Sequence, residues 1–318
     1  MFKIRNLGYG HMVSFLFSFT EIFPALIVQY HIMLPLTKLS FELFPKRLKE
    51  IPDPPEKLYL RGNLPPEECK HLCVVGSRKY SEYGRQAVEK LITGLRGYPV
   101  VIVSGLALGI DSIAHRAALD TGLLTIAVPG SGLDPKVLYP SSHAQLADKI
   151  VEAGGALISE FEPSFQAEPW SFPQRNRIMA GLSDAVLVAE AELKSGTLIT
   201  SKYATEYNRD VLTIPGSIFS QTSAGPHMLI RLGATPIASS SELLSALGFE
   251  TTNYELKTNN YSDCSPEEKK IIALLQTPLP RDELIRALGM ATRDANALLS
   301  IMEIKGLIKE MMGEIYLA

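Results

Sequence analysis

Residues 99–119 read PVVIV followed by SGLALGIDSIAHRAAL, and this stretch decides the fold. The apolar run 99–103 is typical of a strand buried inside a parallel sheet. Gly105 and Gly109 then predict a tight turn, and Asp111 stands where the N-cap of a helix belongs. Unpaired backbone N–H groups and the positive end of the helix dipole converge at such a junction and favour an anion. The stretch therefore predicts an α/β fold that binds a phosphate-bearing ligand.

The same alternation of apolar strands and amphipathic helices continues on both sides of this stretch. The predicted strands are residues 72–76, 100–104, 124–129, 156–159, 185–189 and 211–214. The predicted helices between them are residues 84–95, 111–119, 143–153 and 195–207. Such alternation predicts a doubly wound, mostly parallel, Rossmann-like sheet that binds ligands at the carboxyl ends of its strands.

Changes in composition divide the 318 residues into four parts. We expect an apolar helical segment at 1–43, the Rossmann-like domain at 44–250, a polar linker at 251–263 and a winged-helix-like domain at 264–318. Glu21 and Pro24 interrupt the apolar N-terminal run, which leaves uncharged stretches shorter than the ~20 residues of a membrane-spanning helix. We expect this segment to pack on the body of the protein, with association to a membrane as the alternative.

The overall composition indicates a soluble cytoplasmic protein with 46% hydrophobic residues and a formal net charge of −3. A protein that coats DNA nonspecifically carries a basic excess, so nucleic acid would have to bind in a local pocket here. Cys69, Cys73 and Cys264 are odd in number and lack CxxC spacing, which argues against disulfides and a zinc site. We expect neither a metal nor another cofactor.

Three further motifs place polar or basic side chains at predicted strand ends. These motifs are Gly76-Ser77-Arg78, Arg175-Asn176-Arg177 and Lys194-Ser195-Gly196-Thr197. Arginine offers a bidentate contact to phosphate, lysine offers a point charge, and the amides at a helix start can hold an oxyanion. Because the carboxyl ends of parallel strands meet at one edge of a sheet, we expect the motifs to converge there.

Each motif also has a purely structural interpretation. Its basic residues can be solvated surface cations, and the two arginines of the second motif can form ion pairs with Glu160 or Glu162. We expect His115 to be a hydrogen-bonded structural histidine rather than a base. No Ser-His-Asp order, H-E-x-x-H motif or pair of carboxylates stands out, so nothing in the sequence demands catalysis.

The order of these motifs resembles the DprA/Smf family of bacterial DNA-processing proteins over residues 44–248, and more weakly over 265–317. The matching stretches are the FP…GN lead-in (44–63), VGSR (75–78), residues 104–119, VPGSGLD (128–134), YP (139–140), SEF (159–161), RNR (175–177), GLS (181–183), SGT (195–197) and IPGS (214–217). So many collinear matches make the resemblance specific.

The resemblance implies a non-enzymatic protein that binds single-stranded DNA, protects incoming DNA and loads the RecA recombinase onto it during natural transformation. It also implies a homodimer formed through the Rossmann-like domain. The expected DNA contacts are Gly76, Ser77, Arg78, Gly105, Gly109, Arg175, Asn176, Arg177, Lys194, Ser195, Gly196 and Thr197. Arg78 and Lys194 match the arginine and the lysine of the family's pocket, so they are the leading contacts.

Some features depart from the family or leave alternatives open. His227 stands where the family usually has an asparagine, and the first ~40 residues do not clearly match its helical N-terminal domain. A nucleotide or nucleoside-monophosphate hydrolase on a related fold is the alternative, although residues 194–200 lack the glutamate of that signature. A nucleotide-sensing regulator would need duplex binding, but residues 264–318 carry seven basic and eight acidic side chains. We therefore expect the winged helix to contact protein or to support the fold.

Overall fold

The computed structural model describes residues 36–249, 264–275, 279–305, 307–311 and 314–317. The chain divides into two compact units, Met1–Glu250 and Thr251–Ala318. The linker expected at 251–263 lies outside the described residues.

The first unit alternates strands and helices along most of its length. Its strands are β1 (Thr37–Leu39), β2 (Leu58–Gly62), β3 (Lys70–Val75), β4 (Val100–Ser104), β5 (Leu124–Ala127), β6 (Ala156–Ser159), β7 (Ala185–Val188), β8 (Asp210–Thr213) and β9 (Thr235–Pro236). Its α-helices are α1 (Lys46–Lys49), α2 (Glu82–Thr93), α3 (Ile110–Thr121), α4 (Ala144–Glu152), α5 (Ser171–Leu182), α6 (Thr197–Glu206), α7 (Ala224–Arg231) and α8 (Ser240–Ala246). Short 3-10 turns lie at Phe41–Leu43, Ser141–His143 and Gln221–Ser223.

The nine strands form one sheet in the order β1-β2-β6-β5-β4-β3-β7-β8-β9. Neighbours from β6 to β9 are parallel, whereas β1 pairs with β2, and β2 with β6, in antiparallel fashion. The chain runs outward from β3 to β6 and then returns to β7 on the other side of β3. The loops after β3 and β7 diverge there, and an α/β sheet opens a crevice at such a switch point. The predicted doubly wound, mostly parallel sheet is confirmed.

Apolar side chains cover both faces of this sheet, as a parallel sheet requires. Cys73, Val103 and Val186 belong to a cluster that includes the apolar side of α5. Leu72 and Ile102 point to the other face, where α2, α3 and α8 cover them. The alternation fixes the strands in register, so the loops at their carboxyl ends have a rigid base.

The N-terminal part of the chain differs from the expected helical segment where the structure describes it. Residues 1–35 lie outside the described residues, whereas Thr37–Leu39 form the edge strand β1. Leu39 pairs with Leu58 of β2 and is buried. In the described residues, none of the helices combines the length and the apolar character that crossing a membrane requires.

The helix that follows β4 begins one residue after Gly109 rather than at Asp111. Gly109 is the N-cap and has a positive φ of 85°, a conformation that glycine adopts without strain. Asp111 is therefore not the N-cap but lies in the first turn of α3, where it is buried. Its carboxylate accepts a hydrogen bond from the Gly105 N–H at 3.1 Å, so it fixes the glycine turn from inside.

The second unit has the winged-helix arrangement expected from the sequence. Its elements are α9 (Pro266–Leu274), β10 (Leu279–Pro280), α10 (Arg281–Leu288), α11 (Thr292–Ile304), β11 (Ile308–Met311) and β12 (Glu314–Leu317). The three strands form an antiparallel sheet in the order β10-β12-β11. Ser265 caps α9 in a capping box with Glu268, and Ile271, Leu284 and Leu299 are buried in the common core.

Candidate functional site

A cleft of about 430 Å³ opens where β3 and β7 end, at the switch point of the sheet. The loop after β3, the start of α5 and the loop between β7 and α6 line it. Nine of the twelve residues expected from the sequence are in its lining, namely Gly76, Ser77, Arg78, Arg175, Asn176, Lys194, Ser195, Gly196 and Thr197. The structure thus brings three motifs that are distant in sequence to one edge of the sheet.

The loop after β3 is held in shape by two glycines. A Cβ at Gly76 would lie 2.6 Å from the first side chain of α3. A Cβ at Gly109 would clash with the backbone of Ser77 and Arg78. Ser77 Oγ donates to the Lys79 carbonyl at 2.7 Å and accepts from the Lys79 N–H at 3.1 Å. This closed turn leaves the Arg78 side chain exposed at the cleft.

Arg78 and Lys194 bring two exposed cations to the cleft. Cζ of Arg78 lies 5.3 Å from the centroid of the Phe172 ring. A guanidinium that rests on an aromatic face keeps the N–H donors at its edge free for hydrogen bonds. Among the residues that the structure describes, no carboxylate forms a salt bridge with either cation. Both are available to an anion.

Arg175 lines the cleft from beneath, in contrast to the exposed cations. It is only 4% exposed, and its Nη1 donates to the Val128 carbonyl at 2.8 Å. Burial lowers the pKa of Arg175, although the nearby carboxylate of Asp111 opposes this effect. Burial likewise raises the pKa of Asp111 against the effect of Arg175. These two buried groups stabilise each other, so Arg175 contributes positive potential from a fixed position.

The loop before α6 is tied to the other two motifs by hydrogen bonds. Asn176 Nδ2 donates to the Gly196 carbonyl at 3.3 Å, and Thr197 Oγ1 donates to the Gly76 carbonyl at 3.1 Å. Ser195 Oγ accepts from the Thr197 N–H at 3.2 Å. These contacts hold the N-terminus of α6 beside the cleft.

Thr200 adds an unsatisfied polar atom to this helix terminus. It lines the cleft, is 1% exposed, and its Oγ1 has no hydrogen-bond partner within the described residues. A buried hydroxyl without a partner is unfavourable unless a ligand or an ordered water completes it. Together with the positive end of the α6 dipole, this hydroxyl favours an anion at this position.

Arg177 lies away from the cleft, so its expected role as a DNA contact is not supported. Its Nη1 donates to the Asp53 carbonyl at 2.6 Å, and its Nη2 forms an ion pair with Glu160. The physical reason is the geometry of a helix, because residues 175 and 177 point to different sides of α5. For Arg177 the structure therefore shows the purely structural interpretation, an ion pair with Glu160.

Gly105 and Gly109 support the site without forming part of the main cleft. Gly105 lines an adjacent recess of about 20 Å³ together with Arg78, Tyr139 and Phe172. Gly109 packs against the loop after β3. Gly109 therefore lets two backbone segments approach each other, whereas Gly105 makes room for the Arg175 side chain.

The site includes residues that the sequence analysis did not single out. Phe172 lies three residues before Arg175, and Thr200 lies three residues after Thr197. A single phenylalanine or threonine carries no sequence pattern that indicates a binding site. Lys79 follows the first motif directly, and its exposed amine was a signal that could have been used. The basic side chains of the lining are Arg78, Lys79, Arg175 and Lys194, against the acidic Asp111 and Glu192. The cleft therefore attracts anions although the chain as a whole is slightly acidic.

Two histidines that the sequence analysis discussed have structural partners. Nδ1 of His115 lies 2.7 Å from Thr125 Oγ1 in the core, as expected for a structural histidine. Burial, followed by the charges of His143 and Arg175, lowers its pKa to about 3. Nε2 of His227 lies 3.0 Å from the Gly216 carbonyl, so the imidazole donates a hydrogen bond at this departure from the family pattern.

Family models match both units of the chain. One described as DNA recombination-mediator protein A matches residues 36–248, and one described as DprA winged helix domain matches residues 257–314. DNA processing protein DprA from Streptococcus pneumoniae is 45% identical over 215 residues, which cover 68% of this chain and 75% of that protein. Protein Smf from Escherichia coli is 43% identical over 208 residues, which cover 65% of this chain but only 55% of that protein.

Solved structures agree with these matches. The X-ray structure of DprA from Streptococcus pneumoniae has a TM-score of 0.62 at 43% identity, over 67% of this chain and 75% of that one. DNA processing protein A from Helicobacter pylori, whose structure describes the binding mode of that protein for single-stranded DNA, has a TM-score of 0.58 at 30% identity. That match covers 68% of this chain and 98% of the other. The chain therefore belongs to the DprA/Smf family of DNA recombination-mediator proteins.

Proposed function

We propose that this protein binds single-stranded DNA in the cleft between β3 and β7. The observation that carries the proposal is a pair of exposed cations, Arg78 and Lys194, that line this cleft and have no salt bridge to any described residue. The binding mode for single-stranded DNA described for the Helicobacter pylori relative supports it. The DNA would lie with its phosphates toward the cations and the helix terminus.

The phosphate backbone supplies most of the affinity in this proposal. Arg78 can donate two N–H groups to one phosphate, and Lys194 contributes a point charge. The Thr200 hydroxyl and the positive end of the α6 dipole would add to this phosphate site. Gly196, where a Cβ would meet open space, lets the DNA backbone approach the protein backbone closely.

Equilibrium titration of labelled oligonucleotides tests the binding site. We expect tight, salt-sensitive binding to a single strand, weak binding to duplex of equal length, and at least tenfold weaker binding for Arg78→Ala and Lys194→Ala. Lys149→Ala is the matched control, because this exposed lysine lies near the end of α4, which runs toward the opposite edge of the sheet. Binding that neither cleft substitution weakens would contradict the proposal, and a test for base release from nucleotides would follow.

We further propose that the protein acts as a mediator, without catalysis, that protects incoming DNA and loads RecA onto it during natural transformation in the cytoplasm. Membership of the DNA recombination-mediator family supports this role. A homodimer would place two clefts on one strand and raise affinity through effective concentration. Assembly of RecA on DNA coated with single-strand-binding protein should be faster with this protein and not with the Arg78→Ala/Lys194→Ala variant. Unchanged assembly in its presence would contradict the role.

The winged-helix unit would contact protein rather than duplex DNA. Its α11 carries the exposed apolar side chains of Ala297, Ile301 and Ile304, and Ile304 is 87% exposed. A helix that reads the major groove would carry basic and polar side chains at such positions. Tight duplex binding by the full chain at physiological salt, abolished by Arg293→Ala on the same helix, would overturn this assignment.

A further inference from the structure

We propose that Tyr139 is a stacking platform for an unpaired nucleobase, held beside the cleft by Phe172. The inference rests on the proposed function, since it adds a contact for a base to a site argued so far from phosphates. It concerns a recess next to the main cleft, where an exposed aromatic side chain lies close to Arg78.

The aromatic pair adjoins the cationic cleft directly. The ring centroids of Tyr139 and Phe172 are 5.5 Å apart at an interplanar angle of 57°. Arg78 lies over the Phe172 ring, so cation, phenyl ring and phenol ring are consecutive neighbours. Arg78, Tyr139 and Phe172 also line one recess of about 20 Å³, with Gly105 in its wall. A nucleotide with its phosphate at Arg78 therefore has an aromatic surface within reach of its base.

Only one of the two rings has a free face. Phe172 is half-buried, because Arg78 covers it and Gly130 lies so close that a Cβ there would come within 2.6 Å of the ring. Tyr139 is 47% exposed. Since the two rings are inclined to each other, a flat base cannot lie on both. The geometry therefore makes Tyr139 the stacking surface and Phe172 the residue that positions it.

The backbone around Tyr139 fixes this ring more firmly than an ordinary surface loop would. Its N–H donates to Oγ of the buried Ser131 at 3.1 Å, and its neighbours Leu138 and Pro140 are both buried. Residues anchored on both sides lose little further entropy when a ligand binds. A large aromatic side chain that is held in place yet exposed to solvent suits base stacking.

Stacking on Tyr139 would add selectivity for single strands to the electrostatic attraction. In a duplex, both faces of each base are already covered by neighbouring base pairs, so the ring finds no partner. In a single strand, one base can turn out and stack at little cost. Every base has an aromatic face, so the contact would discriminate strandedness rather than sequence.

The test is a double-mutant cycle between the protein and the oligonucleotide. The protein is wild type, Tyr139→Ala or Tyr139→Phe. The oligonucleotide is a normal single strand or an abasic strand with the same number of phosphates. We expect Tyr139→Ala to weaken binding of the normal strand by about tenfold and to remove most of the penalty for abasic DNA. Tyr139→Phe should bind as wild type does. Tyr98→Ala, an aromatic residue that precedes β4 at the opposite edge of the sheet, is the control.

Two outcomes would overturn the stacking platform. One is Tyr139→Ala binding the normal strand as tightly as wild type, and the other is Tyr139→Ala retaining the full abasic penalty. Arg78→Ala in the same experiment separates this failure from failure of the proposed function. If Arg78→Ala weakens binding to normal and abasic strands while Tyr139→Ala does not, only the stacking platform is wrong. If neither weakens binding, the DNA does not occupy this cleft.

Discussion

The guanidinium of Arg175 occupies the space that a side chain at Gly105 would need. A Cβ built on Gly105 would overlap Nη1 of Arg175, the atom that donates to the Val128 carbonyl. The glycine turn after β4 and the buried arginine of α5 are therefore one structural unit. Since Asp111 bonds to the Gly105 N–H, the carboxylate, the turn and the guanidinium lock the floor of the cleft.

Gly105→Ala should destabilise the protein. The buried site has no room for both the new methyl group and the Arg175 guanidinium, so the guanidinium must move. Overpacking of this kind costs about 1–3 kcal/mol. Chemical denaturation measures the free energy of unfolding directly. Gly196→Ala is the control, because nothing lies within 4 Å of a Cβ there and its φ of −59° suits alanine. Equal stability of Gly105→Ala and wild type would contradict the packing described for Arg175.

Arg177→Ala should reduce stability and leave affinity for single-stranded DNA unchanged. Arg177 and Glu160 have side chains only 11% and 9% exposed, and burial raises the pKa of Glu160 against the effect of Arg177. Removal of one partner from a buried pair costs about 3 kcal/mol, because it leaves an uncompensated charge. The free energy of unfolding and the affinity for a single-stranded oligonucleotide are both measured on Arg177→Ala. Adding Glu160→Gln to Arg177→Ala should recover part of the stability, whereas a folded Arg177→Ala that binds DNA poorly would restore Arg177 as a DNA contact.

Stability should fall at acid pH because of His115. Its pKa of about 3 in the folded protein lies below the ordinary value of 6.5, so the unfolded chain binds more protons between these two pH values. The stabilisation is complete above pH 6.5 and is lost as pH falls toward 3. Between pH 7 and pH 5 we expect wild type to lose about 2 kcal/mol more than His115→Gln. His71, whose pKa burial also lowers, is present in both proteins and cancels. Equal losses of unfolding free energy in the two proteins between pH 7 and pH 5 would contradict this prediction. They would mean that His115 binds a proton as readily in the folded protein as in the unfolded chain.

Glu192→Gln should strengthen binding of single-stranded DNA. Glu192 is an exposed carboxylate in the lining of the cleft, where it opposes phosphate. Removal of its charge should raise affinity about threefold at low salt and less at high salt, since exposed charges are screened. Asp120→Asn, an exposed residue near the end of α3 at the far edge of the sheet, should change affinity little. Weaker binding by Glu192→Gln would mean that phosphate does not approach this part of the cleft.

The sheet could be predicted from the sequence because its strands are apolar runs between glycine turns. The helix α5 could not be predicted, because its centre reads Gln174-Arg175-Asn176-Arg177 and the last three of these are buried. Polar side chains inside a helix remove the amphipathic period that identifies one. The edge strand β1 has three residues, too few for a pattern.

The site was predictable to the level of its motifs but not to that of its partners. The glycine turns and the basic residues at strand ends follow from local sequence, so Arg78 and Lys194 could be singled out. Whether an arginine meets a ligand or a carboxylate depends on residues distant in sequence, as Arg177 and Glu160 show. Aromatic rings such as Tyr139 gain meaning only when the fold places them beside a cation.

The salt dependence of single-stranded DNA affinity tests the central claim most directly. Each phosphate contact that a protein makes releases counterions, so affinity falls as salt rises. Loss of one contact should decrease the steepness of log affinity against log salt by about 0.7 for single strands. We predict this decrease for Lys194→Ala and the wild-type slope for Lys149→Ala. A wild-type slope for Lys194→Ala would contradict the claim that phosphates of the DNA lie in this cleft.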